Sequence, residues 1–254
     1  MRETVLLYGE RDPATVAINM VALDPTSTGT ITIPDAEIAY SLFEIRMRDA
    51  QALLPPSLHP SVPALIGVTF IHARGGPLGA FNLAYCGIAC RTGIKPRHYI
   101  QSAFADCNQA SEFFTTRYGF PCQTATIELR ESYDRIHGRV ETEGGCVLET
   151  TAVDCVPLVG SGAMVKYSPP LNVTQVGGQA ALVQFEAAYD FKRVLRGKPA
   201  LNTFDSAVVG EDQPRPNHAI SGTFVVVDLH LMPVRFEVDL SVPAEQGGAR
   251  KIAR

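Results

Sequence analysis

Asp106-Cys107-Asn108-Gln109-Ala110-Ser111-Glu112-Phe113-Phe114-Thr115-Thr116-Arg117-Tyr118-Gly119-Phe120-Pro121-Cys122-Gln123 is the stretch from which the rest of the chain can be read. It has the grammar of a helix that stops and hands over to a strand. Asp106 suits the N-cap, because a short carboxylate can accept from the unpaired N–H groups of a first turn. Gln109, three residues on, stands where a capping-box partner belongs. Ala110, Phe113 and Phe114 fall on one face at helical spacing. Gly119 fits the left-handed position after a helix, and Pro121 forbids continuation. Alternation from Thr124 to Leu129 then predicts a strand.

Outward from this junction the chain reads as short strands. Upstream, Thr4–Tyr8, Val16–Val21 and Gly29–Ile33 are strand-like, the last ending at Pro34, and Glu37–Met47 is a longer strand with one buried face. Asp49 is expected to cap a short helix, Ala50–Leu54, stopped by Pro55-Pro56. Leu65–Ala73 and Leu78–Cys90 form a hairpin across Arg74-Gly75-Gly76-Pro77, and Ile94–Ala105 leads into the central helix. Downstream, Thr124–Arg130, Ser132–Glu143 and Cys146–Val156 make an antiparallel meander with turns at Glu131-Ser132 and Glu143-Gly144-Gly145. Ala181–Tyr189 is a strand, Arg196-Gly197-Lys198-Pro199 a turn, and Thr223–Asp239 holds two strands about Pro233. Many short strands punctuated by Gly and Pro argue a β-rich barrel and not alternating βα units. Residues 1–243 read as one domain, and 244–254 as a polar, mobile tail.

Composition sets further bounds. The chain has 254 residues, 46% hydrophobic and 19% charged, which is enough apolar material for a globular core. A net charge of −4 gives no basic footprint for nucleic acid. No run approaches the roughly 18 apolar residues of a membrane helix. Met1–Tyr8 reads as a first strand and not as a signal peptide, so the expected location is the cytoplasm. The six cysteines form no CxxC pair, and the expectation is buried thiols without a metal. No phosphate loop is present, and no cofactor is expected.

Tyr118-Gly119-Phe120-Pro121 resembles the active-site turn of the acetoacetate decarboxylase family, in which a Gly-aromatic-Pro turn precedes two lysines. The resemblance extends in order through Leu78-Gly79-Ala80-Phe81, Tyr99–Asp106, Val165-Lys166-Tyr167-Ser168-Pro169 and Phe204-Asp205-Ser206-Ala207. It implies a mainly antiparallel, cone-shaped β-barrel with a few short helices, an apolar cavity and a homo-oligomeric assembly. In the family the first lysine forms a Schiff base and the second lowers its pKa. Here those places hold Cys122 and Gln123. The family's acidic positions fall at Val68 and Leu83, and an arginine falls near Ala36. Once the lysine is gone, each remaining buried charge would lack a partner and cost several kcal/mol, so joint neutralisation is coherent.

The expected site is therefore a neutral chamber. Cys122, Gln123 and Tyr118 are its candidate catalytic groups, and Val68, Phe81, Asn82, Leu83, Tyr85 and Phe120 its substrate-lining ones, with no metal. Gln123, Tyr118, Tyr85 and Asn82 could polarise a carbonyl. A thiolate at Cys122 is disfavoured after a helix C-terminus. Glu44 and Arg46 read as a surface pair. Arg91, Lys95, Arg97 and His98 read as a basic cluster in a turn, either solvated or at the mouth of an anion site. The function expected is a cofactor-independent, cyclase- or lyase-type enzyme that tailors a hydrophobic, polyketide-type molecule by cyclisation, cycloaddition, isomerisation or dehydration. The alternatives are a non-catalytic protein for a small apolar ligand, and a lyase or hydratase with a relocated lysine, Lys166.

Overall fold

The computed structural model describes residues 7–16, 21–23, 29–158, 167–210 and 214–252. Its strands are β1 (Ile31–Glu44), β2 (His59–Pro60), β3 (Leu65–Ala73), β4 (Phe81–Thr92), β5 (Lys95–Ala105), β6 (Cys122–Thr124), β7 (Thr126–Ser132), β8 (Arg135–Thr142), β9 (Gly145–Pro157), β10 (Pro170–Val176), β11 (Gln179–Gln184), β12 (Glu186–Phe204), β13 (His218–Met232), β14 (Phe236–Asp239) and β15 (Ala249–Lys251). Its helices are α1 (Pro13–Val16), α2 (Met47–Leu53), α3 (Asn108–Tyr118) and α4 (Ser206–Val209). No helix among the described residues is long and apolar enough to cross a membrane.

The strands form one sheet in the order β15-β14-β11-β10-β5-β4-β3-β1-β13-β12-β9-β8-β7, with β2 beside β4 and β6 beside β5. Most neighbours are antiparallel; β10 and β6 run parallel to β5. Among the described residues, hydrogen bonds do not close the sheet. Side chains do. Val183 of β11 and Val225 of β13 have five strands between them in the sheet yet share one apolar core with α3. The curl is that of a cone-like barrel, β-rich with few short helices. The meander β7–β9 folds back over the outer face of β3 and β4, where Ile127, Ile136 and Val140 join Val68 and Phe70 in a second core.

Because β3 and β4 are covered on both faces, they are buried almost continuously, and alternate residues enter different cores. Ile66, Val68 and Phe70 face the meander, and Ile71 and Ala73 face α3. The same split in β4 separates Ala84, Cys86 and Cys90 from Phe81, Leu83 and Tyr85.

The expected boundaries hold for β3 and for the end of α3, where Gly119 is left-handed at φ 71°, while β4, the hairpin partner of β3, runs Phe81–Thr92 and not Leu78–Cys90. The helix start differs. Cys107 is the N-cap and no side chain caps it. Asp106 instead accepts from the Asn82 main-chain N–H at 2.8 Å and from its amide Nδ2 at 2.7 Å, tying the helix entry to β4. Ala50–Leu54 is replaced by Met47–Leu53, with Asp49 inside the first turn. Ile31–Ile33 and Glu37–Glu44, the cores of the two expected strands, are parts of one strand that carries Pro34 across a bulge between Ile33 and Ala36, while Gly29-Thr30 and Ile45–Met47 fall outside it.

Arg196-Gly197-Lys198-Pro199 is no turn. It is an irregular point in the 19-residue β12. A Cβ on Gly197 would lie 2.6 Å from Cys155 Sγ, so the glycine permits strand contact and not reversal. The meander's first turn moves to Tyr133-Asp134, with Tyr133 at φ 53°. Val16–Val21 is not a strand over its described part, since Val16 ends α1, and Thr4–Leu6 lies outside the described residues. The C-terminal segment expected as a mobile tail packs: Ala244 is buried and β15 pairs with β14.

The seam between the curled sheet and its meander is tight. A Cβ on Gly138 would sit 2.7 Å from the Phe70 ring. Gly138→Ala is expected to cost about 1–3 kcal/mol in urea unfolding by overpacking. Phe70→Ala should cost roughly 3–5 kcal/mol. The double variant should be less destabilised than the sum, because removing the ring makes room for the methyl.

Candidate active site

The turn after α3 builds the site. Gly119 is needed for its left-handed backbone and because a Cβ there would stand 3.0 Å from Thr174 Cβ and 3.1 Å from the Val173 carbonyl. Phe120 is then buried among Tyr85, Phe114 and Phe185, with ring centroids at 5.4, 5.7 and 5.4 Å. Pro121 releases the chain into β6, which lays Cys122 beside Ala103 and Gln123 beside Phe104 of β5.

Cys122 and Gln123 line a cleft of about 450 Å³, whose walls include Arg11, Gln101 and Phe120. Cys122 is half-buried beside Thr115, and burial pushes its thiol up to about 12, with the threonine hydrogen bond acting against the shift. The group is thus a neutral thiol at physiological pH, unsuited to nucleophilic attack. Arg11 Nη1 donates to Gln101 Oε1 at 3.2 Å, while Gln101 Nε2 is buried with no partner. The cleft therefore offers a guanidinium, two amides and an uncharged thiol, and one amide N–H₂ is left without an acceptor.

Ile100 separates this cleft from a closed chamber inside the sheet, since it lines both. The chamber is walled by Tyr40, Thr69, Tyr85, His98, Tyr167 and Tyr189 and has room for about 10 Å³, the space of one water. Tyr40 Oη lies 3.0 Å from His98 Nε2, and Gly67 makes that contact possible, because a Cβ there would be 3.0 Å from the same nitrogen. Burial pulls His98 down to about 4, against a main-chain hydrogen bond at Ser168 that favours the charged form. A ring that donates to a carbonyl on one side must accept on the other, so neutral His98 accepts from Tyr40. Burial also raises Tyr85 to about 12 and holds Tyr40, Tyr167 and Tyr189 well above ordinary phenols. Tyr167 Oη and Thr223 Oγ1 are near neighbours without a well-formed hydrogen bond, and both are left unpaired.

The expected site residues are thus divided. Cys122, Gln123 and Phe120 share the cleft, and Tyr85 faces the chamber. Val68 belongs to neither: it is one residue out of phase with Gly67 and Thr69, and points into the meander core. Thr69 takes the chamber position instead. Leu83 and Phe81 are core, the latter against Phe114 at 5.7 Å. Asn82 is on the other face of β4, bound to Asp106 and, at 2.7 Å, to His72. Tyr118 donates its hydroxyl to the Met232 carbonyl at 2.7 Å, a structural tie between α3 and β13. Ala36 is buried core. Arg46 pairs with Asp49 at 3.2 Å and not with Glu44. His98 leaves the expected basic turn cluster for the chamber. Lys166 lies outside the described residues.

Sequence reading missed Arg11, Gln101, Tyr40, Tyr167 and Tyr189. None carries a local signal, since each reaches the site from a distant element. Among the described residues no group of three or more His, Cys, Asp or Glu side chains is placed to hold a metal ion. The described lysines face elsewhere: Lys192 pairs with Asp35 and Asp228 at 2.7 and 2.6 Å, and Lys198 with Asp154 at 2.8 Å.

Two pH experiments follow from this burial. Alkylation of Cys122 by iodoacetamide, followed by peptide mass spectrometry, should rise roughly tenfold per pH unit from about 8 to 11. A plateau near pH 9 would show an ordinary thiol. For His98 the folded-state pKa lies below the unfolded value of about 6.5, so the unfolded chain binds the extra proton. Its contribution leaves stability unchanged above about pH 6.5 and removes up to about 3 kcal/mol as pH falls to about 4. His98→Asn should flatten that part of a urea-derived stability curve.

Comparison with known proteins bears on this geometry. The sequence profile described as "Acetoacetate decarboxylase (ADC)" matches residues 20–239, most of the chain. Among curated proteins no sequence matches. Among solved structures, acetoacetate decarboxylase from Legionella pneumophila is similar at TM-score 0.72 and 18% identity, over 86% of this chain and 92% of that one. The enduracididine biosynthesis enzyme MppR, complexed with pyruvate, aligns at TM-score 0.66 and 18% identity, over 89% and 96%. An acetoacetate decarboxylase-like enzyme from Sphingomonas wittichii aligns at TM-score 0.59 and 12% identity, over 81% and 91%. With the curled sheet, the helix-plugged core and the Gly-Phe-Pro turn in the expected order, the chain belongs to the acetoacetate decarboxylase family.

Proposed function

We propose that this protein is an enzyme of the acetoacetate decarboxylase family that works without a Schiff base and reshapes a carbonyl-bearing, largely apolar small molecule. The observation that carries the reading is that Cys122 and Gln123, where the family resemblance puts a lysine pair, line a cleft of about 450 Å³, a size suited to a small-molecule substrate. The substrate belongs in that cleft and not in the tyrosine chamber, which has space for one water. The uncharged thiol of Cys122 and the ring of Phe120 form its apolar side. Gln123, the unpaired Gln101 amide and the Arg11 guanidinium form its polar side.

An amide N–H and a guanidinium directed at a carbonyl stabilise the negative charge that develops on oxygen as an enol or enolate forms. Confinement of a flexible chain in a near-attack shape supplies further acceleration without an ionised side chain. Cyclisation, cycloaddition, isomerisation and dehydration all suit these groups, and a polyketide-type tailoring step is the setting that fits them. MppR, named for enduracididine biosynthesis and seen with pyruvate and with a condensation product of pyruvate, supports a natural-product setting for this fold. The reading includes action in the cytoplasm, no cofactor, and a homo-oligomer built from one barrel domain.

The test is incubation with a panel of linear β-polycarbonyl compounds and acetoacetate, followed by mass spectrometry. Products of unchanged mass or of water loss are expected, and no carbon dioxide release from acetoacetate. Borohydride reduction in the presence of substrate should leave no adduct on the protein. Gln123→Ala should lower kcat/KM by roughly 10- to 100-fold as an oxyanion donor is lost. Cys122→Ala should change it by less than about threefold, because a neutral thiol only lines the wall. Acetoacetate decarboxylation, or a borohydride adduct, would overturn the proposal.

A further inference from the structure

A second large concavity lies apart from the Cys122 cleft, between the tip of the β4–β5 hairpin, the β11–β12 junction and the β14–β15 edge. It holds about 500 Å³. Its walls are apolar: Leu171, Val238 and two side chains open to solvent, Ile94 at 93% and Phe236 at 39% exposure. Its floor is polar and buried. Glu186 is 6% exposed and Gln184 8%.

The pairing on that floor is incomplete. Gln184 Nε2 donates to Glu186 Oε1 at 2.8 Å, and Arg235 Nη2 donates to Glu186 Oε2 at 2.9 Å. Both carboxylate oxygens are thereby engaged, and one guanidinium balances the one buried charge. Arg97 is the cation left over. Its Nη1 donates only to the neighbouring Pro96 carbonyl at 2.8 Å, and its Nε is buried without a partner. Gln184 Oε1 is also buried and unpartnered. Burial lowers the Arg97 pKa, with Cys90 and Glu186 acting against the shift without forming a hydrogen bond or ion pair to it. Lys95 and Lys251 stand at the rim, with no ion pair among the described residues. Four cations thus surround one carboxylate, on a chain whose net charge is −4.

A half-buried cation beside an apolar wall is satisfied by an anion that brings its own apolar body. We propose that this cleft is a second ligand site for a small amphipathic carboxylate. The carboxylate would lie against Arg97 between Lys95 and Lys251, with its acyl or aryl body on Leu171, Phe236 and Val238. Gln184 Oε1 would accept from a hydroxyl or amide of a ligand that carries one. The site is separate from the Cys122 cleft and independent of the reaction proposed there.

Calorimetric titration with decanoate, 1-decanol and acetate tests this. Decanoate should bind saturably, and acetate and 1-decanol at least tenfold more weakly, since each lacks one half of the recognition. Arg97→Gln, which keeps most of the side-chain volume, should weaken decanoate about tenfold or more while leaving 1-decanol unaffected. Lys95→Gln and Lys251→Gln are exposed changes that cannot disturb folding through the core; each should weaken decanoate about two- to threefold, less so at high salt. Arg11→Gln, in the other cleft, should leave decanoate binding unchanged. Equal binding of 1-decanol and decanoate, no effect of the Arg97, Lys95 and Lys251 changes, or loss of binding in Arg11→Gln would each overturn the proposal.

Discussion

The structure depends on the insertion of α3 and its following turn into the curl of an unclosed sheet. Phe114, Tyr118 and Phe120 meet Phe185 from the far side, with ring centroids 6.3, 4.8 and 5.4 Å apart. Tyr118 also reaches the Met232 carbonyl, and Arg117 reaches the Gly29 and Leu231 carbonyls while stacking on Phe113 and Tyr118. A sheet whose edges share no hydrogen bonds can keep its curvature only if side chains fill the concave face, and this aromatic plug does so. It also fixes the direction in which β6 leaves, and so where Cys122 and Gln123 stand.

Strand alternation then distributes the chemistry. Along β5, Arg97 serves one cleft, His98 and Ile100 the closed chamber, and Gln101 the other cleft. One strand with period two can supply several environments because successive side chains point to opposite faces. A bulge in β5, where Gln101 is the extra residue opposite the Cys86-Gly87 step of β4, shifts the phase between Ile100 and Ser102 and adds a third direction. Low dielectric surroundings do the rest. Thiol, imidazole and phenols all remain neutral, because burial disfavours their charged forms more than the available partners favour them.

The chain thus has the family's fold together with an interior of neutral groups around His98 and Cys122. The small chamber inside the sheet is lined by Tyr40, Tyr85, Tyr167 and Tyr189, with Tyr40 edge-on to both His98 and Tyr167, and Tyr167 tilted against Tyr189. Tyrosine fills space with an apolar ring and still offers a hydroxyl, so the chamber is small without being wholly apolar. The larger space beside it is the cleft outside Ile100, where polar and apolar groups share the walls.

The sequence by itself determined the β-rich class, the β3–β4 hairpin, the stop of α3 at Gly119-Phe120-Pro121 and the absence of lysine at Cys122 and Gln123. Those are matters of local sterics and residue identity: a left-handed glycine and a ring-locked proline end a helix wherever they occur. Only the tertiary structure decided that Asp106 serves Asn82 and not its own helix, that Gly197 lies within a strand, and that Thr69 in place of Val68 faces the chamber. It alone brought Arg11 to Gln101 across 90 positions, and Tyr40 to His98 across 58. Which face of a strand meets which neighbour, and how much space is left between them, is fixed by the packing of elements far apart in the chain, and near-neighbour preferences carry no record of it.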